Sequence, residues 1–263
     1  MSETIYEIKN LQKYYEINLG LFKKPKIIKA LNGISFDVKR GEVLSLVGES
    51  GCGKSTTAKL ILKIEEPTGG EILFNGEDIT KLQHHELEEY RKKVQIIFQD
   101  PYSSLNPRWK VGSIIGEPLK LNTNMRDIEI KERVLYLMEK VGMHPDWYER
   151  YPHQFSGGQR QRIGIARALA LNPEIIVCDE PVSALDVSIQ AQVLNLLLDL
   201  QDEFNLTYIF ISHDLSVVEH ISDRIVVMYF GDIVELKSVD DLFKNPEADY
   251  TKKLLSAIPT IKD

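Results

Sequence analysis

Cysteine is scarce in this chain of 263 residues. Only Cys52 and Cys178 occur, and neither belongs to a CxxC pair. That excludes the thiolate ligand sets of structural zinc and iron–sulfur centres. It points to a reducing, cytosolic setting rather than to a disulfide-stapled secreted domain. Long apolar runs are missing as well. No stretch approaches the roughly 20 apolar residues that a membrane-spanning helix needs. The start, Met1–Asn10, carries acidic residues where a signal peptide would carry an apolar segment. If the protein works at a membrane, other chains cross it. Basic charge is in deficit, 32 Lys and Arg against 39 Asp and Glu for a net charge of −7, which argues against nucleic acid as a partner, because sequence-independent binding relies on basic surface. Internal repeats and low-complexity tracts are absent.

What is present fits a soluble α/β protein. Apolar residues make up 43% of the chain, enough for a sizeable core in one large domain or in one domain carrying an inserted lobe. Ile34, Phe36 and Val38 alternate as in a half-buried strand. Arg40-Gly41 makes a turn, Val43–Val47 reads as a short apolar strand, and Glu71–Phe74 precedes the hairpin signal Asn75-Gly76. The early part therefore reads as mixed sheet with an antiparallel component. From Asp127 to Val141, Ile130, Val134, Leu137, Met138 and Val141 fall on one helix face. Pro101, Pro107 and Pro118 break the stretch before it. The expectation is a helical lobe over about 100–170, set between αβ segments of about 1–99 and 171–263. Strands at Ile175–Cys178, Tyr208–Ile211 and Ile225–Tyr229 and a helix around Gln190–Phe204 then predict a parallel sheet covered on both faces.

Three segments carry chemistry. Gly48-Glu49-Ser50-Gly51-Cys52-Gly53-Lys54-Ser55, followed by Thr56, fits G-x-x-x-x-G-K-[ST] between a strand and a helix. Glycines let successive backbone N–H groups face one anion, and the helix adds the positive end of its dipole. Lys54 is expected on β/γ-phosphates and the Ser55 hydroxyl on Mg²⁺. Cys52 reads either as a small filler or as a thiol activated near a helix N-terminus. Second, the apolar strand from Ile175 ends in Asp179-Glu180. Asp179 is expected to hold Mg²⁺ through water and Glu180 to act on the attacking water as general base or orienter. Third, in Phe155-Ser156-Gly157-Gly158-Gln159, Ser156 is a good N-cap for a helix over Gln159–Ala170, and the glycines expose N–H groups beside its start.

These residues resemble the ATP-binding cassette family over nearly the whole chain. Gly48–Ser55 is similar to its Walker A loop, Ile175–Asp179 to its Walker B strand, and Ser156–Gln159 to its signature, with Phe155 in place of the usual leucine. Gln99 resembles the Q-loop glutamine that senses Mg²⁺ and the permease, Ser183–Asp186 the D-loop, and His213 the switch histidine at the γ-phosphate. Tyr15 lies where the family stacks an aromatic ring on adenine, with Tyr14 the near alternative. The resemblance implies a P-loop NTPase core with mixed sheet, an N-terminal antiparallel β subdomain and an inserted α-helical subdomain. It implies ATP and Mg²⁺ as cofactors. Two subunits would pack head to tail, so that Ser156–Gly158 of one covers the γ-phosphate held by the other.

Further residues resemble the peptide and nickel importer branch: Gln99–Arg108, Glu180–Ser188, and a tail with Asn245-Pro246, Tyr250-Thr251 and Pro259, where Ala248-Asp249 departs from the usual His-Pro. Val182-Ser183 is similar to the second ATPase subunit of oligopeptide and dipeptide importers. The resemblance implies a second homologous ATPase, or a second copy, as dimer partner. It also implies two transmembrane permease subunits, an extracytoplasmic solute-binding protein met indirectly, and a peripheral place on the cytoplasmic face of the membrane. The alternative is nickel or metallophore import. A soluble ATP-binding cassette protein would show a long coiled-coil insertion or two heads, which are not seen. A permease contact is expected near Gln99–Arg108. His84-His85 reads as a solvated pair rather than a metal site, and Trp109 and Trp147 as packing.

Overall fold

The computed structural model describes residues 3–17 and 25–257; Met1, Ser2 and Pro259 lie outside the described residues. In chain order the elements are β1 Thr4–Ile17, β2 Lys26–Lys39, β3 Val43–Val47, α1 Lys54–Ile61, β4 Gly69–Phe74 and β5 Glu77–Asp78. Then come α2 His84–Lys93, β6 Val94–Ile97, α3 Val111–Asn122, α4 Asp127–Lys140, α5 Gly157–Ala168, β7 Ile175–Asp179 and α6 Val187–Phe204. The chain continues through β8 Thr207–Ile211, α7 Leu215–Ile221, β9 Arg224–Tyr229, β10 Asp232–Ser238, α8 Val239–Lys244 and α9 Asp249–Ser256. Packing divides it into two compact units, Met1–Leu87 with Ile209–Asp263, and Glu88–Tyr208. This division differs from the 100–170 lobe drawn from sequence, because β6, β7 and α6 pack with the helices between them.

The first unit holds an antiparallel sheet in the order β2-β1-β4-β5. The alternation in β2 is real: Ile34, Phe36 and Val38 are buried while Ser35 points outward, as a two-residue period demands. The Asn75-Gly76 turn joins β4 to β5 with φ of 50° and 81°, the positive pair that a two-residue hairpin loop requires. β3 belongs elsewhere. It pairs in parallel with β9, Leu46 opposite Val226, and β10 lies antiparallel on β9. Every residue of β3 is buried, which is why it reads as a continuous apolar run.

In the second unit β6 and β7 run parallel, Val94 opposite Ile175 and Ile97 opposite Cys178. The α4 stripe Ile130, Val134, Leu137 and Met138 is buried as its periodicity requires. One expectation is corrected. Pro118 does not break the chain but sits inside α3. Its ring removes one intrahelical hydrogen bond, yet Ile114, Ile115 and Leu119 on either side of it are buried, and that packing holds the helix. Trp147 packs edge-on against Phe155, centroids 5.4 Å apart, whereas Trp109 is 38% exposed. Among the described residues no helix is long and apolar enough to cross a membrane, and no group of three or more His, Cys, Asp or Glu is placed to hold a metal ion.

Candidate nucleotide site

In the first unit β3 delivers the chain to Gly48, where φ is 146° and a Cβ would lie 2.2 Å from the Met228 carbonyl oxygen. At Gly53, φ is 116° and a Cβ would lie 2.8 Å from the Ala30 oxygen. Only glycine fits either position. The turn is closed from within: Cys52 N–H donates to the Glu49 oxygen (3.3 Å), and the Cys52 oxygen accepts from Gly231 N–H (2.9 Å). Lys54 is buried, and its ammonium donates to the Gly48 oxygen (2.6 Å) and the Glu49 oxygen (3.0 Å) and lies 3.6 Å from the Cys52 sulfur. Cys52 is itself 3% exposed, so alkylating it requires the loop to open. Ser50, Gly51 and Ser55 are exposed and Thr56 half-buried. α1 starts at Lys54 with no side-chain cap and no acidic residue in its first turn. Its first N–H groups thus have no side-chain acceptor competing with an anion.

Tyr15 sits near the end of β1 and donates its hydroxyl to Glu65 Oε2 (2.6 Å), with the Lys13 ammonium 5.0 Å from its ring centre. Burial and the Glu65 carboxylate raise its pKa, and its hydrogen bond lowers that of Glu65. Tyr14 carries the Lys29 ammonium 5.3 Å from its ring centre, so both rings remain candidates. His213 is exposed in the turn between β8 and α7. That turn is fixed on both sides: Ser212 Oγ accepts from Asp214 N–H (3.0 Å), and Asp214 caps α7 through Ser216 N–H (2.9 Å).

In the second unit β7 ends at Asp179, half-buried, above Cys178, whose thiol pKa is driven up by burial and by the Asp179 charge. Glu180 adopts φ 48°, a left-handed conformation that a residue with a Cβ enters at a cost of roughly 1–2 kcal/mol. The Glu180 carbonyl accepts from Ser183 N–H (3.2 Å) and Ser183 Oγ (3.0 Å), and its carboxylate accepts from Gln99 Nε2 (3.0 Å). Two residues 81 positions apart in the chain are thereby joined. Ser156 caps α5: its Oγ accepts from Gln159 N–H (3.3 Å), and Gln159 Oε1 accepts from Ser156 N–H (3.0 Å). A Cβ on Gly157 would meet Leu185 Cδ2 at 3.3 Å and one on Gly158 would meet Ile189 Cγ2 at 2.4 Å. The Ser156 turn is therefore seated on the 185–189 stretch. Asp186 lies within that stretch as the N-cap of α6, exposed, its carboxylate unused by the cap.

Residues 31–183 match the ABC transporter family. The chain belongs to that family. Among its relatives, the dipeptide transport ATP-binding protein DppF of Haemophilus influenzae is 57% identical over 251 residues, 95% of this chain and 77% of the relative. The oligopeptide transport ATP-binding protein AppF of Bacillus subtilis is 55% identical over 262 residues, 99% of this chain and 80% of the relative. In three dimensions the chain is similar to the dimeric ATP-binding cassette MJ0796 in a post-hydrolysis state bound to ADP and Pi. The TM-score is 0.79 at 31% identity, covering 89% of this chain and 99% of that one. As an ABC transporter ATPase, the chain binds and hydrolyses ATP. 

Two arginines of α5, Arg160 and Arg167, also hold the segment that carries Gln99. Arg160 is buried, donates through Nε to the Pro152 oxygen (2.7 Å) and places its guanidinium 3.9 Å from the Tyr102 ring centre. Arg167 donates to the Ser104 oxygen (2.6 Å) and lies 5.9 Å from the Phe98 ring centre. Seven residues is two helical turns, so both arginines leave α5 on one side and grip the 98–104 segment that carries Gln99. A sequence signal existed: two arginines at that spacing, directly after the Ser156 turn.

Proposed function

We propose that this chain is the ATPase subunit of an importer for dipeptides or oligopeptides. The observation that carries the reading is identity above one half with peptide-transport ATP-binding proteins across nearly the whole chain. In this reading the Gly48–Ser55 loop binds the phosphates and Lys54 meets the β/γ-phosphates, while Tyr15 stacks on adenine. Glu180 accepts the proton of a water that attacks the γ-phosphorus. The bond to the bridging oxygen breaks, and ADP and phosphate leave. His213 contacts the γ-phosphate. Ser55, Asp179 and Gln99 each offer a side-chain oxygen of the kind Mg²⁺ prefers, and with the ion bound they would help neutralise charge on the phosphates. The hydrogen bond that Glu180 takes from Gln99 fits a base whose aim is set by the segment that reports to the permease.

A head-to-tail dimer supplies the rest: Ser156, Gly157, Gly158, Gln159 and Asp186 of one subunit, self or homologous, complete the site of the other. The similarity to a dimeric cassette supports this arrangement. Permease contact is proposed at a cleft of 610 Å³ in the second unit, lined by Arg108, Trp109, Lys110, Glu117, Tyr148 and Tyr151. It lies at the end of the 99–108 segment, and the transporter as a whole would place this subunit at the cytoplasmic membrane face.

The test is Glu180→Gln on size-exclusion chromatography with and without Mg-ATP, paired with uptake of labelled peptides by cells carrying the variant. ATP binding is expected to persist and turnover to fall about 100-fold or more. Peptide uptake stops, and ATP shifts the protein to a dimer. Loss of ATP binding would refute the site, and unimpaired peptide uptake would refute the solute class.

A further inference from the structure

α9 reaches the phosphate loop, and the match to the ABC transporter family ends at residue 183, well before it. Its entry is built deliberately. Ala248 gives α9 no side-chain cap; instead Glu235 of β10, 8% exposed, accepts from Glu247 N–H (2.9 Å) and Ala248 N–H (3.1 Å). Tyr250, Leu254 and Leu255 then pack with Phe243 on the core of Val47, Leu215, Val218, Ile225, Val227 and Leu242. The Tyr250 ring lies against Tyr229, centroids 4.2 Å apart at 43°. Its hydroxyl oxygen accepts a hydrogen bond from Glu49 N–H at 2.9 Å.

That N–H is one end of the Gly48–Glu49 peptide group. A trans peptide points its N–H and C=O in opposite directions, and no cis bond occurs among the described residues. At the other end the Gly48 oxygen accepts from the Lys54 ammonium at 2.6 Å. One planar group is thus held by Tyr250 on one side and holds Lys54 on the other. Gly48 has no side chain with which to lock its own torsions, and Tyr250 adds a hold from outside the loop to the bonds that close it from within. The phenol supplies it in the neutral form that tyrosine has near neutral pH, and burial raises its pKa further.

We propose that Tyr250 is a positioning residue for ATP binding: it fixes the Gly48–Glu49 peptide and, through it, the resting place of the Lys54 ammonium. The inference rests on the reading of Gly48–Ser55 as the phosphate site. Affinity for ATP then depends on the docking of α9, and the C-terminal helix is a clasp on the catalytic loop.

The test is a double-mutant cycle on the dissociation constant for ATP, with Tyr250→Phe, Lys54→Ala and both together. Tyr250→Phe keeps the ring against Tyr229 and removes only the hydroxyl. It is expected to weaken ATP binding about five-fold, the worth of one net hydrogen bond. Placed in Lys54→Ala protein it is expected to cost nothing more, because the residue it acts through is gone. A general loss of folding would instead subtract the same factor in both backgrounds, and that result overturns the proposal. A loss in Lys54→Ala with none in Tyr250→Phe overturns the role of Tyr250 alone. Unchanged affinity in Lys54→Ala overturns both this role and the phosphate-site reading beneath it.

Discussion

Two helices of this molecule begin on glycine-rich turns, and they begin differently. α1 follows Gly53 with no side-chain cap, and the loop before it is braced by Gly231 and by the buried Lys54 ammonium. α5 follows Ser156, and there a complete capping box satisfies the N–H groups of Ser156 and Gln159. Sequence alone marks both as anion sites, since each places glycines at a helix start. The difference is in what each end lacks. α1 has no capping side chain, so a bound phosphate would be its cap. α5 is stable with its own, which suits a surface presented to a ligand that another subunit brings.

The sharpest way to break that comparison is to add one methyl group to each turn. Gly48→Ala is expected to cost roughly 3 kcal/mol, combining a left-handed backbone with overlap on the Met228 carbonyl. For a chain of this size that lowers the melting temperature by roughly 6 °C or more. At Gly157 the added methyl meets only the movable end of Leu185, so Gly157→Ala is expected to stay within about 1 kcal/mol. Equal losses in thermal unfolding would mean that the α5 turn is as tightly constrained as the Gly48–Ser55 turn.

A smaller effect sharpens it. Lys54→Ala is expected to reduce ATP affinity about 10- to 100-fold, the range of hydrogen bonds to a charged group, as read by calorimetric titration. Gln159→Ala, which breaks the α5 cap, should leave the intrinsic ATP affinity of the isolated subunit unchanged and lower only its stability. If Gln159→Ala weakened ATP binding by the isolated subunit as much, α5 would belong to the same site as α1 and not to that of a partner.

How much of this was legible depended on how local the cause was. The glycine-rich turn between β3 and α1, the Asn75-Gly76 hairpin, the α4 stripe and the Ser156 cap all rest on spacings of a few residues, and the structure has each of those elements where the spacing predicts it. β1 was not legible. Asn10 takes φ 47°, and the pairing with β2 slips between Ile8 and Leu11, so the apolar residues Tyr6, Ile8 and Leu11 do not keep a two-residue period. Pro118 misled, because tertiary burial of its neighbours outweighed a local rule. The long-range contacts were invisible for the opposite reason. Gln99 to Glu180 spans 81 positions and Glu49 to Tyr250 spans 201, and no periodicity reports a pairing at that range. Tyr250 belongs to the tail pattern in sequence, but its hydroxyl carries no sequence signal.

The finest distinction concerns Ser156, whose hydroxyl is already occupied by the cap of α5. Ser156→Ala removes the cap and is expected to cost about 1 kcal/mol, a fall in melting temperature of roughly 2 °C. Ser156→Asp is different, because aspartate is as good an N-cap as serine and its charge favours a helix start. It should restore wild-type stability within about 0.5 kcal/mol. If the capped turn faces a partner's γ-phosphate, the same carboxylate introduces like-charge repulsion there, so ATP-driven dimerisation of a Ser156→Asp, Glu180→Gln protein should fail although its fold is intact. Stability and pairing would then separate on one side chain. Dimerisation that survives the aspartate would show that the α5 turn is only a capped helix, and the two glycine-rich starts would differ in function altogether rather than in the order in which they meet one nucleotide.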